Sequence, residues 1–122
     1  VTCRCGFGEP YDECCGRFHR GEAEAPTAEL LMRSRFSAFV VRDEAYLLRT
    51  WHPSTRPRRL ELDPAQEWSR LDIVGKQRGG LLDAVGTVEF RAEYRLRGRV
   101  GTVEEHSRFA REGGVWLYVD AI

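Results

Sequence analysis

The stretch AVGTVEFRAEYRL, residues 84–96, decides how this chain folds. Ala84, Gly86, Val88, Phe90, Ala92, Tyr94 and Leu96 alternate with Val85, Thr87, Glu89, Arg91, Glu93 and Arg95. Successive side chains of an extended strand point to opposite faces, so a period of two means one buried face and one wet face. Half-covered strands of this kind belong to antiparallel sheets. Downstream, RGRVG (97–101) reads as a turn, TVEEHSRFAR (102–111) as the returning strand, EGG (112–114) as a tight turn and VWLYVDA (115–121) as the last strand. Upstream, EWSRLDIVGKQRG (67–79) predicts one further strand. The basic, glycine-rich GKQRGG (75–80) reads as a hairpin turn, because it lacks the Gly-Lys-Ser/Thr ending of a phosphate loop.

Before residue 52 the period is helical. Thr27 is a good N-cap and Glu29 sits where the helix dipole favours negative charge. Met32, Phe36, Phe39 and Val40 then recur on one helical face, with Glu29, Arg33 and Ser37 on another, which predicts a helix over 28–41. Asp43 reads as the cap of a second, short helix, EAYLLRTW (44–51), ended by Pro53. HPSTRPRRLELDPAQ (52–66) holds three prolines and reads as a loop. Helices first and three or four antiparallel strands afterwards give the α+β class, with helices laid on one face of a curved meander.

A length of 122 residues suits one core. With 19 basic and 19 acidic side chains the net charge is zero, which argues against a surface built for bare nucleic acid. No apolar run approaches the roughly 18 residues that span a bilayer, and no basic segment followed by an apolar stretch opens the chain, so the cytoplasm is the expected compartment.

All four cysteines fall within TCRCGFGEPYDECCGRFHRG, residues 2–21. Disulfides fit poorly, since Cys14 and Cys15 are adjacent and no export signal is visible. Four free thiols serving only as packing would not gather in one short segment. A metal site explains the gathering: Cys3 and Cys5 flank one residue, Gly6 and Gly8 let the backbone fold back, and Cys14 with Cys15 closes the shell. Four cysteines fit a tetrahedral zinc ion, as do three cysteines and His19. So short a segment has no core of its own, so metal binding would supply its folding free energy. Arg4, Arg17 and Arg20 lie nearby in sequence and are expected to offset the charge of the thiolates, or simply to aid solubility.

The pattern Cys3-x-Cys5-Gly6-x-Gly8-x-Pro10-Tyr11-x-x-Cys14-Cys15 resembles the SEC-C motif, the small zinc-binding segment found at the carboxyl end of the SecA translocase and in other bacterial proteins. It departs from that motif at Phe7 and Arg4, neither of them a ligand position. The resemblance implies Cys3, Cys5, Cys14 and Cys15 as the ligands, zinc or alternatively iron as the ion, and His19 outside the shell. Together with AELLMRSRFSAFV, YLLRTWHPSTRP and HSRFAREGGVWLYVD, it makes the whole chain similar to the bacterial YchJ-like family. That likeness implies a SEC-C segment over 1–21 and, over 27–122, a domain similar to nuclear transport factor 2 (NTF2). Such a domain is a cystatin-like cone of helices in the concave face of a bent sheet. The family has no assigned activity.

A cone of this kind often holds a pocket. Trp51 and His52 head the densest polar and aromatic string, WHPSTR, where His52 is either a general acid or base or the organiser of a proline-bearing loop. Asp72 shares a face with Arg70 and Val74 and reads chiefly as solvent-facing, with a pocket carboxylate as the alternative. Glu105 is carried inward if Val103, Ser107 and Phe109 face the core, whereas His106 faces outward with Glu104 and Arg108. Two function classes follow. One is an adaptor whose metal segment is a rigid basic knob docking onto a protein or a ribonucleoprotein, the way SEC-C segments of translocases are thought to act. The other is a small-molecule carrier or enzyme using the cone. A catalytic metal is disfavoured, since four thiolates leave no open position. Pairing of two copies through their sheets is an open expectation.

Overall fold

The structure is a computed structural model and describes residues 2–122. A single turn of 3-10 helix at Tyr11–Glu13 leads into α1 (Cys15–His19), followed by α2 (Ala28–Val41) and α3 (Glu44–Arg49). Four strands come after: β1 (Gln66–Arg78), β2 (Val85–Leu96), β3 (Arg99–Glu112) and β4 (Val115–Ala121). They form one antiparallel meander in the order β1-β2-β3-β4. Irregular pairing at Trp68/Arg70, Ile73/Gly75 and Arg108/Phe109 marks bulges, each of which bends and twists its strand.

The helices start where the sequence says. The Thr27 hydroxyl accepts the Leu30 N–H at 3.2 Å and the Asp43 carboxylate accepts the Tyr46 N–H at 3.0 Å, satisfying donors that a first helical turn leaves unpaired. Met32 and Phe36 of α2 and Leu47 of α3 pack on the inward residues Val88, Phe90, Phe109 and Trp116 of the sheet. Trp116 is fully buried, and its indole N–H donates to the Pro26 carbonyl at 3.1 Å, pinning the connector between α1 and α2 to β4.

Three boundaries differ from the sequence reading. Residues 75–78 are strand, not turn: Lys76 and Gln77 pair with Val88 and Thr87, and the chain reverses only at 79–84. The turn before β3 shrinks to Arg97 and Gly98, both with positive φ (49° and 81°), the two-residue form that matches strand twist. Helix α3 stops at Arg49 because the chain beyond it joins the sheet edge: Tyr118 N–H donates to Thr50 O at 2.8 Å and His52 N–H to Tyr118 O at 2.7 Å. Among the described residues no helix is long and apolar enough to cross a membrane.

Candidate metal centre and interior cavity

The amino-terminal segment is a small loop closed on itself. Cys3 N–H donates to Glu9 O at 2.7 Å and Gly6 N–H to Cys3 O at 3.4 Å. Gly6 and Gly8 take φ of 85° and 100°, a region that a side chain would resist. The 3-10 turn then returns the chain so that Cys14 and Cys15 face Cys3 and Cys5. All four sulfurs lie within 4.8 Å of one another, and all four cysteines are free and buried. Cys5 and Cys14 Sγ are 3.5 Å apart, and Cys14 and Cys15 Sγ 3.9 Å. A tetrahedron with metal–sulfur bonds of about 2.3 Å has edges of about 3.8 Å. The donor set and its spacing therefore fit a metal ion bound by four thiolates.

This clasp sits on α2, on the face that carries Arg33, Ser34 and Ser37. The Ser37 hydroxyl meets Cys3 Sγ at 3.5 Å. Arg33 Nη1 donates to Cys5 O at 2.5 Å, while Arg33 Nε pairs with Glu29 at 3.0 Å. Glu29 also meets Lys76 of β1 at 2.8 Å, and the Lys76 ammonium holds its carboxyl below the usual range. His19 lies outside the sulfur shell. Its Nε2–H donates to Ser34 O at 2.9 Å, so its Nδ1 accepts the Tyr11 hydroxyl at 2.6 Å. Burial lowers its pKa and keeps this tautomer neutral. His19 also packs against Tyr46, ring centroids 4.6 Å apart. Phe18 is buried in the domain core, and its carbonyl accepts from Arg49 at 3.0 Å.

The three arginines expected to offset the thiolates do not act as a set. Arg20 pairs with Asp12 and Glu22, Arg17 reaches the Cys14 carbonyl at 3.4 Å, and Arg4 is exposed. Arg33, whose role the sequence did not suggest, ties the clasp to α2 through the Cys5 carbonyl. Nor is the segment basic: over residues 1–21 Glu9, Asp12 and Glu13 balance Arg4, Arg17 and Arg20.

On the opposite side of α2, between it and the sheet, lies a cavity of about 220 Å³. Two of the four pocket candidates line it, Trp51 and Glu105. The parallel bridge between Trp51 and Tyr118 sets those rings edge to face, centroids 5.1 Å apart. The Trp51 indole N–H is buried without a hydrogen-bond partner among the described residues. Glu105 Oε2 accepts the Ser107 hydroxyl and, at 3.3 Å, the Tyr118 hydroxyl. Burial, aided by Glu105, pushes the Tyr118 phenol up to about 12. His52 is not in the cavity: Nε2 meets Glu112 at 2.6 Å and Nδ1 meets Ser54 at 2.7 Å, so it organises its loop. Asp72 is exposed beside Arg70 on the outer face of the sheet, 3.2 Å away, and is no pocket carboxylate.

The residue that sequence reasoning missed is Arg35. It is only 3% exposed, in the wall of the cavity. Its Nη1 donates to Leu47 O at 2.8 Å and to Thr50 Oγ1 at 2.7 Å, and its guanidinium lies 4.7 Å from the Tyr118 ring centroid and 5.2 Å from that of Trp51. Burial lowers its pKa to about 10, which still leaves a cation at neutral pH. The signal was available: Arg35 stands three residues after Met32 and one before Phe36, a charge within the apolar face of α2.

A cysteine clasp seated on helices that cover one face of a four-stranded antiparallel sheet defines a SEC-C segment joined to an NTF2-like domain. The profile of the family described as YchJ, middle NTF2-like domain, matches residues 27–121. A UPF0225 protein of Streptomyces avermitilis is 57% identical over 120 residues, covering 98% of this chain and 83% of the relative. One from Corynebacterium glutamicum is 52% identical over 116 residues, covering 95% and 92%. The solution structure of a SEC-C motif containing protein from Rhodopseudomonas palustris superposes with a TM-score of 0.87 at 30% identity, covering 100% of this chain and 98% of that one. A crystal structure of a SEC-C motif containing protein from Psychrobacter arcticus gives 0.80 at 26% identity, covering 98% and 80%. The chain belongs to the YchJ-like UPF0225 family.

Proposed function

We propose that this chain is a zinc-clasped docking protein, in which the ion shapes a surface and performs no reaction. The observation that carries this reading is the set of four buried sulfurs within 4.8 Å. Four protein thiolates fill a tetrahedral shell and leave no position for water or substrate. Cys3, Cys5, Cys14 and Cys15 would hold the ion. Zinc is preferred over iron, since a site that only cross-links gains nothing from redox chemistry. Bound there, the ion supplies a cross-link and folding free energy.

The outer side of the clasp presents Phe7, 54% exposed, beside a groove of about 320 Å³ lined in part by Phe18, Pro26 and Leu30. Glu9, Glu13 and Glu24 rim it against the one cation among the described lining residues, Arg17, a net negative edge, so the partner is a protein with an apolar anchor and basic flanks. A specific contact needs about 800 Å² per partner, so part of the NTF2-like domain would join the interface. Metal analysis of the purified full chain, with co-purification by wild type, Phe7→Glu and Cys5→Ser, tests this. One zinc per chain and loss of the same partner from both variants are expected; an unchanged partner set removes the docking reading. The outer sheet face, where Val74 and Val100 are 63% and 61% exposed, is where a second copy would pair. A monomer by light scattering at high concentration excludes that pairing.

A second reading is favoured by one observation, the buried Arg35 in the wall of the cavity. On it, the cone of the NTF2-like domain is a site for a small molecule.

A further inference from the structure

We infer that the interior cavity binds a one-ring aromatic carboxylate, its acid group taken by Arg35 and a ring hydroxyl or amino group by Glu105. The inference rests on the second reading above and names the ligand class for it.

A buried charge is costly unless it is paired. Arg35 is nine-tenths buried or more, yet no carboxylate of the described residues lies within 4.0 Å of it, and Glu105 of the same cavity acts on it only at longer range. Its protein partners are two neutral oxygens, both served by Nη1, and two aromatic faces. A guanidinium has five N–H donors in a planar fork, and the Nε and Nη2 side of this one makes no hydrogen bond to the described residues. That free edge is the geometry that takes a carboxylate through two parallel bonds. The unpartnered indole N–H of Trp51, in the same wall, is a further donor in want of an acceptor.

Size and lining give the rest of the ligand. A dry cavity of about 150 Å³ accommodates benzene, so about 220 Å³ suits one ring carrying two small substituents. Phe36, Phe39 and Trp68 provide flat walls, with the Trp68 ring centroid 6.2 Å from that of Phe36 and 5.9 Å from that of Phe39. Glu105 sets the second substituent. Both of its hydroxyl partners bind Oε2, which leaves Oε1 free, and an anion beside a bare carboxylate would be repelled. A ligand with a donor at that end turns the repulsion into a hydrogen bond. The contrasting account of Arg35, a strut bracing the end of α3 through Leu47 and Thr50, involves Nη1 alone and is indifferent to the charge of any ligand.

The test uses the full chain with its metal and four probes: 4-hydroxybenzoate, benzoate, 4-hydroxybenzamide and tyramine. Affinities come from calorimetry, and the Trp51 indole N–H resonance, assigned with Trp51→Phe, reports the site. The expected result is 4-hydroxybenzoate about tenfold tighter than the amide, the order by which a charge-assisted hydrogen bond exceeds a neutral one. It shifts the Trp51 resonance, and tyramine does not bind. Arg35→Met, verified as folded by its melt, abolishes the preference for the acid, and Glu105→Gln brings benzoate level with 4-hydroxybenzoate. If Arg35→Met does not fold, the acid-to-amide ratio and the Trp51 shift in the wild type decide. Equal binding of acid and amide overturns the ligand class while keeping the cavity as a site. No binding of any probe at millimolar concentration overturns both.

Discussion

Removing the metal should loosen one end of this protein and spare the rest. With the ion gone, residues 2–14 keep the backbone bonds of a short loop, Cys3 to Glu9 and Cys14 to Tyr11 among them, and a few side-chain bonds such as Tyr11 to His19 and Arg20 to Asp12. Structural zinc supplies about 10–16 kcal/mol in isolated finger peptides, far more than those bonds at about 1 kcal/mol each. Amide protection over 2–14 is therefore expected to fall at least about a thousandfold. Helix α1 is different. Phe18 is buried in the domain core, worth about 1.5–3 kcal/mol, and Arg49 holds its carbonyl. The domain itself loses the Arg33 bond to Cys5 and the Ser37 contact with Cys3, about 1–2 kcal/mol. At about 4 °C per kcal/mol for a chain of this size, its Tm should drop by roughly 4–8 °C. Hydrogen exchange read by mass spectrometry, with a melt in parallel, measures both before and after chelation, and Cys5→Ser should reproduce the chelated state. Unchanged protection over 2–14 would refute a metal-held segment. A collapse of the whole chain would refute the separation of clasp from domain.

Two further outcomes follow from named contacts. Gly86→Ala should cost about 3 kcal/mol by urea midpoint, because a Cβ there would stand 2.4 Å from the Gly79 Cα, a backbone atom that cannot swing aside. His19 makes stability pH-dependent with a definite sign. Its folded pKa is lowered from about 6.5, so the unfolded chain takes up the proton first. Its contribution is whole above about pH 6.5, is lost as pH falls toward the folded pKa, and is flat below that. The wild-type loss between pH 7.5 and 5.5 should exceed that of His19→Phe, the difference removing any shared effect of acid on the thiolates; equal losses would refute the neutral latch between Tyr11 and Ser34.

Much of the fold was legible because its signals are local. The caps Thr27 and Asp43 and the alternation over β2 placed α2, the start of α3 and the strands, and the same alternation sent Glu105 inward and His106 outward. The gathering of four cysteines was legible for the same reason. Two things were not. Glu29, Arg33 and Ser37 read as one more helical face of unstated use, and only the tertiary structure shows that they carry the clasp. The place of Arg35 within the apolar face of α2 was readable, but not its surroundings, the aromatic faces of Trp51 and Tyr118 and the end of α3 that close over it. Both depend on contacts between residues distant in sequence, which periodicity does not report. The pocket reading of Asp72 failed because its face of β1 is the outer one, where Arg70 and solvent meet it.

Helix α2 is a party wall, with the sulfur clasp against one side and the aromatic chamber against the other. The clasp side is largely polar, the Arg33 guanidinium and the Ser37 hydroxyl, with Leu30 beside them. Stripped of its lodger, that side would wet without becoming sticky. A lineage could discard the sulfur segment and keep a soluble chamber at the modest expense of filling the berth of one phenylalanine, Phe18. The reverse loss, a clasp without its wall, would leave a loop with nothing to stand on.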